Sequence, residues 1–374
     1  MTQPEAVAET PSTIQRLKLH YERNEGRIAA LFFAGGFVLD MILVERVDSW
    51  LTIGQQALYL VVVTAVLTQM FLEAGGPPPA PEGVSALGRW YGRYRTAIMS
   101  FFLGTLLNLY TIFFFKSSSL LVSFSFMLVL VFLLLLNEFN RFKWLGLSFK
   151  FALLSLCGLS FCASVVPVFY GQVGVSVFLL SMGVACLPMV GLAGWIRHRA
   201  PEGFPRVRNQ ILMPFGLVLV AFLIGYFFRV IPPVPLSIPF IGVYHAVEKT
   251  QDRYRLSHER PPWRFWHNGD QEFRAQPGDK IYVFFRIFSP ARFSDEVRVN
   301  WYWKGRGWVP QDSIPIKIVG GRAEGFRGYG FKSNYRPGAW KVQVETTDGR
   351  EIGRVYFDLE TVPASPRSFE IDVE

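Results

Sequence analysis

The stretch Ile211–Phe240 reads ILMPFGLVLVAFLIGYFFRV and then IPPVPLSIPF. Its first part is apolar and long enough to cross hydrocarbon as a helix, at about 1.5 Å per residue. Pro232, Pro233, Pro235 and Pro239 then end any helix, because proline lacks a backbone N–H and its ring clashes with the preceding turn. Upstream of this stretch the chain reads as membrane, downstream as a water-soluble β domain. The expected fold class is therefore a membrane all-α bundle of about seven transmembrane helices followed by an all-β, immunoglobulin-like sandwich.

Seven apolar runs carry the first half: Ile28–Val44, Leu51–Leu72, Ala97–Phe115, Leu120–Leu136, Leu147–Phe169, Val173–Ile196 and Ile211–Ile231. Within a bilayer the backbone must satisfy its own hydrogen bonds, so each run is expected to be a helix. The expected division is a cytoplasmic segment 1–27, a helical domain 28–231, a proline-rich linker 232–240, an extracytoplasmic sandwich 241–361 and a tail 362–374. In the first segment, Ser12 and Gln15 fit a capping box ahead of a short amphipathic helix. No cleavable signal is expected, since the first run begins near Ile28 with no small-residue cleavage site.

Charge sets the orientation. There are 17 Lys and Arg against 11 Asp and Glu up to Phe240, and 21 against 18 beyond it. In the first half the basic residues alternate between loops. Arg16, Lys18, Arg23 and Arg27 precede the first run; Arg89, Arg93 and Arg95 fall in the second loop. Arg141, Lys143 and Lys150 fall in the fourth, and Arg197, Arg199, Arg206 and Arg208 in the sixth. The odd loops carry Arg46, Lys116 and nothing. Cytoplasmic loops retain Lys and Arg, so the N-terminus is expected inside a bacterial inner membrane and the β domain outside, after seven crossings. The same bias accounts for the net charge of +9 without nucleic acid.

Polar groups within the runs are few. Asp40 lies in the outer part of the first run and Arg229 near the outer end of the seventh, so an intramembrane ion pair is expected between them. Cys157, Cys162 and Cys186 read as small fillers of helix interfaces. The sequence holds no HExxH, GxSxG or phosphate loop, and no cofactor or catalysis is expected. His245, His258 and His267 are scattered without metal-type spacing.

Beyond the prolines the period becomes two. Val297, Val299, Trp301 and Trp303 alternate with polar residues, as do Ile314, Ile316 and Ile318, and Trp340, Val342 and Val344. Asp348-Gly349 predicts a type I′ hairpin, and a parity break between Ile352 and Val355 predicts a bulge near Gly353. Trp301, Trp303 and Trp340 read as core. Tyr302 and Trp308, with Arg322 and Arg327 from the basic segment GGRAEGFRGYGFK, are the candidate ligand-binding residues. Trp263, Arg264, Phe265 and Trp266 are the candidate membrane-interface residues, because indole rings favour the bilayer surface and Arg reaches phosphates. The partners expected are the lipid bilayer and an envelope glycan, lipid headgroup or protein. The rival reading is a transporter or channel capped by the β domain.

Three segments, WYWKGRGW, IPIKIVGGRAEGFRGYGFK and PGAWKVQVETTDGREIGRVYFDLE, resemble a bacterial membrane-associated family known as domain of unknown function 2914. The resemblance runs from about Asn300 to Glu360. It implies an envelope protein with an extracytoplasmic β domain and assigns no activity. Asn300 stands where the family often carries a His.

Orientation is open to a direct test. Alkaline phosphatase fused after Phe240 is expected to be active, and fused after Gly76 inactive; the reverse pair would sink the seven-crossing reading.

Overall fold

The computed structural model describes residues 48–75, 86–117, 128–133, 146–199, 203–251, 253–264, 266–290, 293–320 and 325–374. Five described helices are long and apolar enough to span a membrane. They are α1 (Trp50–Glu73), α2 (Ala86–Lys116), α3 (Leu147–Tyr170), α4 (Val175–Arg199) and α5 (Phe204–Phe227), the last with a π-helical turn at Arg208–Leu212. The run Ile28–Val44, Asp40 within it and the capping box lie outside the described residues, and of Leu120–Leu136 only 128–133 is described, as helix. α2 begins at Ala86, well before the expected Ala97. Its first turns carry Arg89, Trp90, Tyr94 and Arg95, which hydropathy does not count but which form helix readily.

The helices alternate in direction, so their ends sort by charge. At one end Arg95 pairs with Glu73, and the Arg206 guanidinium lies 4.6 Å from the Phe71 ring. Lys150, Arg197, Arg199 and Arg208 belong to helix termini at that same end. At the other end Trp50 meets Phe169, and there the β domain begins.

Among the described residues the β domain holds eleven strands in three sheets. β4 (Glu272–Ala275), β10 (Glu351–Thr361), β9 (Gly338–Thr346), β6 (Ser294–Lys304) and β7 (Trp308–Val319) form a five-stranded sheet in that order. β1 (Ser237–Tyr244), β5 (Ile281–Phe288) and β8 (Phe326–Lys332) form a second sheet, and its core with the first contains Val283, Phe285, Val299, Trp301, Trp340 and Phe357. A third sheet of β11 (Glu370–Val373), β3 (Arg253–His258) and β2 (Ala246–Thr250) covers the back of the second, around Tyr244, Leu256 and Phe284. β5 is thus buried on both faces, the physical reason KIYVFFRIFS is a continuous apolar run.

Several expectations are refined. Trp301 and Trp340 are buried, while Trp303 is only partly so. The register shift between Glu351 and Gly353 is the expected bulge. The Asp348-Gly349 turn is not type I′. Thr346 and Arg350 pair across a three-residue loop, and Gly349 alone carries a positive φ, 76°. That is the type I turn with a left-handed glycine that makes a G1 bulge. The proline-rich segment 232–240 folds compactly. Leu236 is buried in the sandwich core, Val234 and Leu236 donate to the carbonyls of Pro232 and Pro233, and β1 starts at Ser237. The expected tail contributes β11.

This compact turn seats the sandwich on the helix ends. α5 closes in a Schellman arrangement: Val230 N–H donates to the Gly225 carbonyl and Arg229 N–H to that of Tyr226, with Arg229 left-handed at φ 60°. Arg350 then reaches down from the hairpin. Its Nη2 donates to the Tyr226 carbonyl at 2.7 Å, its Nη1 to that of Ile231 at 3.1 Å and its Nε to Asp348 at 2.9 Å, and its guanidinium lies 3.2 Å from the Tyr226 ring centroid. Ser294 N–H donates to the Gly171 carbonyl, and Val173 N–H to Asp295. A cation on the last carbonyls of a helix also meets the negative end of its dipole.

Replacing Arg350 by Ala leaves buried carbonyls unpaired and is expected to cost about 2–4 kcal/mol. Thermal unfolding of the full chain in nanodiscs measures this, and limited proteolysis is expected to open residues 232–236 while the sandwich stays intact.

Candidate functional site

The outer face of the five-stranded sheet is set by alternation. In β6, Val297, Val299 and Trp301 point into the core, so Arg298, Asn300, Tyr302 and Lys304 point away; in β10, Val355, Phe357 and Leu359 point in, so Arg354, Tyr356 and Asp358 point out. Register aligns Tyr302 with Lys341 of β9, and Lys341 with Tyr356 of β10. Lys304 pairs with Trp308 of β7. Two candidate ligand residues of the sequence, Tyr302 and Trp308, are therefore brought together, with a lysine between them that the sequence reading did not single out. Lys341 Nζ lies 4.2 Å from the Tyr302 ring and 5.5 Å from that of Trp308. Trp308 meets Tyr356 at 5.6 Å between centroids, and Arg354 donates to the Tyr356 hydroxyl at 2.8 Å. Burial and the nearby Arg354 charge hold Lys341 below the usual ammonium range. The result is an exposed aromatic platform with a partly desolvated cation at its centre.

The other candidates fall elsewhere. Arg327 lies on β8, opposite Arg286 of β5, in the other sheet. Arg322 and Phe265 lie outside the described residues. Trp263 and Trp266 are exposed, at 61% and 58%. Their loop leads into Glu272, which pairs with Asp358. Asp358 lies eight residues along β10 from Arg350, about 26 Å at strand rise. The helix contacts gather at the opposite strand ends, so this position does not favour contact with the bilayer that anchors the chain. Arg229 is exposed, with its guanidinium beside Gly349 of the hairpin. It leans toward the sandwich rather than into the bundle.

A polar cluster gathers around His245. His245, at the bend between β1 and β2, stacks on Phe273 at 4.0 Å. Its Nε2 lies 3.6 Å from Asp270 and its Nδ1 3.4 Å from Arg367, which clamps Asp279 with two hydrogen bonds. The Asp270 carboxylate accepts the Glu259 N–H at 3.0 Å. Gly269, at φ 63°, lies so close to the Val243 carbonyl that no Cβ fits. These residues come from five separate segments, so spacing in the chain could not announce them. Among the described residues no group of three His, Cys, Asp or Glu is placed to hold a metal ion.

Residues 294–359 match the family described as "Protein of unknown function (DUF2914)". No curated protein matches the chain. Among solved structures, an immunoglobulin-like protein from Pseudomonas aeruginosa is similar at 12% identity and a TM-score of 0.22, over 34% of this chain and 98% of that one. A score of that size carries no argument about this fold.

The cluster makes a prediction of sign. Burial lifts the Asp270 carboxyl from 3.8 to about 7, against hydrogen bonds from the Glu259 and Arg260 backbones. The stability this group contributes is present in full below pH 3.8 and is lost as pH rises to about 7. Burial, then the Arg367 charge, lowers His245 from 6.5 to about 4, so its contribution is present above pH 6.5 and lost as pH falls toward 4. The two slopes oppose. Asp270→Asn is expected to leave a protein that gains stability between pH 4 and 6.5, and His245→Gln one that loses it between pH 4 and 7. Thermal unfolding of the full chain followed by tryptophan emission distinguishes them; equal slopes in the two variants would refute the assignment.

Proposed function

We propose that the chain is a multi-pass bacterial inner-membrane protein whose external sandwich binds an acidic envelope glycan on the outer face of its five-stranded sheet. The observation that carries this reading is Lys341 held between the rings of Tyr302 and Trp308, with Tyr356 and Lys304 alongside. Aromatic faces stack on the C–H face of a sugar ring, and the lysines meet its acidic groups. A sheet face is flat rather than concave, which suits an extended polymer better than a small molecule. Seven crossings follow if the apolar runs 28–44 and 120–136 join the five described spans. The gathering of Arg95, Arg197, Arg206 and Arg208 at the helix ends away from the sandwich supports a sandwich outside the cytoplasm.

The bundle favours a scaffold over a transport path. The buried hydroxyls of Thr111, Ser155, Ser164 and Ser181 each donate to the carbonyl four residues earlier in their own helix. Groups spent in this way do not converge on a substrate.

Polygalacturonate titrated against the full chain in neutral-lipid nanodiscs tests the reading. Wild type is expected to bind, and Trp308→Ala and Lys341→Glu each to weaken binding about tenfold, a loss of about 1.4 kcal/mol. Absent binding, or binding that both variants retain, would reject the glycan face.

A further inference from the structure

The opposite edge of the same sheet carries a second and chemically different feature. In β4, Phe273 and Ala275 are buried, so Glu272 and Arg274 face outward with Tyr356 and Asp358. The loop from β3 folds beside them and leaves a cleft of about 290 Å³. Three guanidinium groups line it, from Arg260, Arg264 and Arg274, and three carboxyl groups, from Glu259, Asp270 and Glu272. Arg264 pairs with Glu272 at 3.0 Å, and Arg260 with Asp372 at 3.5 Å. Asp270 is 2% exposed, and behind it the buried His245 Nε2 has no hydrogen-bond partner. At the loop's crest, Trp263 and Trp266 stand exposed with ring centroids 5.8 Å apart, and the Arg264 guanidinium lies 4.9 Å from the Trp263 ring.

Such a lining selects against simple ions. A free anion meets three carboxyl groups, and a free cation meets three guanidinium groups. A hydroxyl both donates and accepts, so a ligand with several hydroxyls can satisfy donors and acceptors side by side. The volume is near the lower end for small-molecule sites, enough for a small polar ligand or one end of a longer one. The exposed indoles supply what a polyol alone would not use: apolar faces for the C–H side of a sugar ring. We infer that this cleft is a saccharide subsite that takes a neutral, multiply hydroxylated sugar residue, with Trp263 and Trp266, on the loop that carries Arg264 into the lining, as the adjoining stacking faces. The inference stands on its own lining residues, none of which belongs to the Trp308 platform, although Tyr356 of that platform lies on β10, the strand next to β4.

The experiment is saturation-transfer difference NMR on the full chain in neutral-lipid nanodiscs. The probes are neutral trisaccharides of glucose, mannose and N-acetylglucosamine, with inorganic phosphate and spermidine as ionic controls. At least one trisaccharide is expected to receive saturation. Trp263→Ala with Trp266→Ala, both exposed and so compatible with folding, is expected to weaken it at least tenfold, as is Glu272→Gln; Trp308→Ala is expected to leave it unchanged. Retained circular dichroism and melting in the variants separate loss of binding from loss of fold. Silence from all three trisaccharides overturns the inference, as does binding unaltered by the double variant or full displacement by phosphate. If the trisaccharides are silent while anionic vesicles shift the Trp263 and Trp266 emission to the blue, the loop is a lipid-docking element instead. Failure at the cleft with polygalacturonate binding intact leaves the platform reading standing, and the converse holds.

Discussion

One guanidinium joins the two halves of this protein. A helix that ends at the membrane surface leaves carbonyls without intrahelical partners, and α5 meets part of that need with its own Schellman turn. The rest comes from Arg350, a residue of the sandwich, which donates to the carbonyls of Tyr226 and Ile231 while lying against the Tyr226 ring. Tyr226 is itself held from both sides: its ring stacks on Phe178 of α4 at 3.7 Å, and its hydroxyl donates to Asp348 at 3.0 Å. Burial would raise the Asp348 carboxyl, but the Thr346 hydroxyl and the Arg350 charge outweigh it and keep the group ionised. A buried cation so placed has little freedom, because each donor it gives up would strand a carbonyl away from water.

That anchor sets what the sandwich can present. β9 enters the hairpin and β10 leaves it, so both strands run from the helix ends outward. Lys341 and Tyr356, which carry the platform, are five and six residues from the hairpin ends Thr346 and Arg350, about 17–20 Å. The platform therefore stands about 17–20 Å along the strands from the helix junction. The polar cleft sits in the same outer half of the sheet, where β4 joins the edge of β10. A stiff proline tether could have left the height undetermined; the buried Leu236 and the Arg350 contacts fix it.

How much of this is legible in the sequence depends on whether a feature is local. The membrane half, the break at the prolines and the parity of β6, β9 and β10 follow from short-range patterns, and so does the bulge at Ile352. The turn at Asp348-Gly349 was visible as a turn, but its type was not, because Arg350 draws Thr346 into a three-residue loop to reach the helix below. Tyr302 and Trp308 were visible as outward rings. Lys341 is hidden in the sequence because only cross-strand register brings it between their rings. The cleft and the His245 cluster were less legible still, since their members come from loops and edges whose meeting is decided by the third sheet and by the parallel pairing of β4 with β10. Trp263 and Trp266 are exposed, and residue type alone suggests the bilayer for them. Their height above the helices is set by the pairing of β4 with β10, a strand remote from the loop in sequence, which is why composition could not reveal it.

The same anchor bears on whether the sandwich holds a ligand or reports it. For binding to be felt inside the bilayer, some element between the face and the helices must have two arrangements that the ligand weights differently. The described junction offers the reverse. Arg350 is engaged by two carbonyls, a carboxylate and a ring, and moving it would unpair all of them together. The contacts of Gly171 with Ser294 and of Val173 with Asp295 hold the α3–α4 turn against the same end of the sheet. A joint of this kind transmits position rather than a change of state. Such a joint fits a bundle that holds the sandwich in place better than one that carries a change of state through the helices.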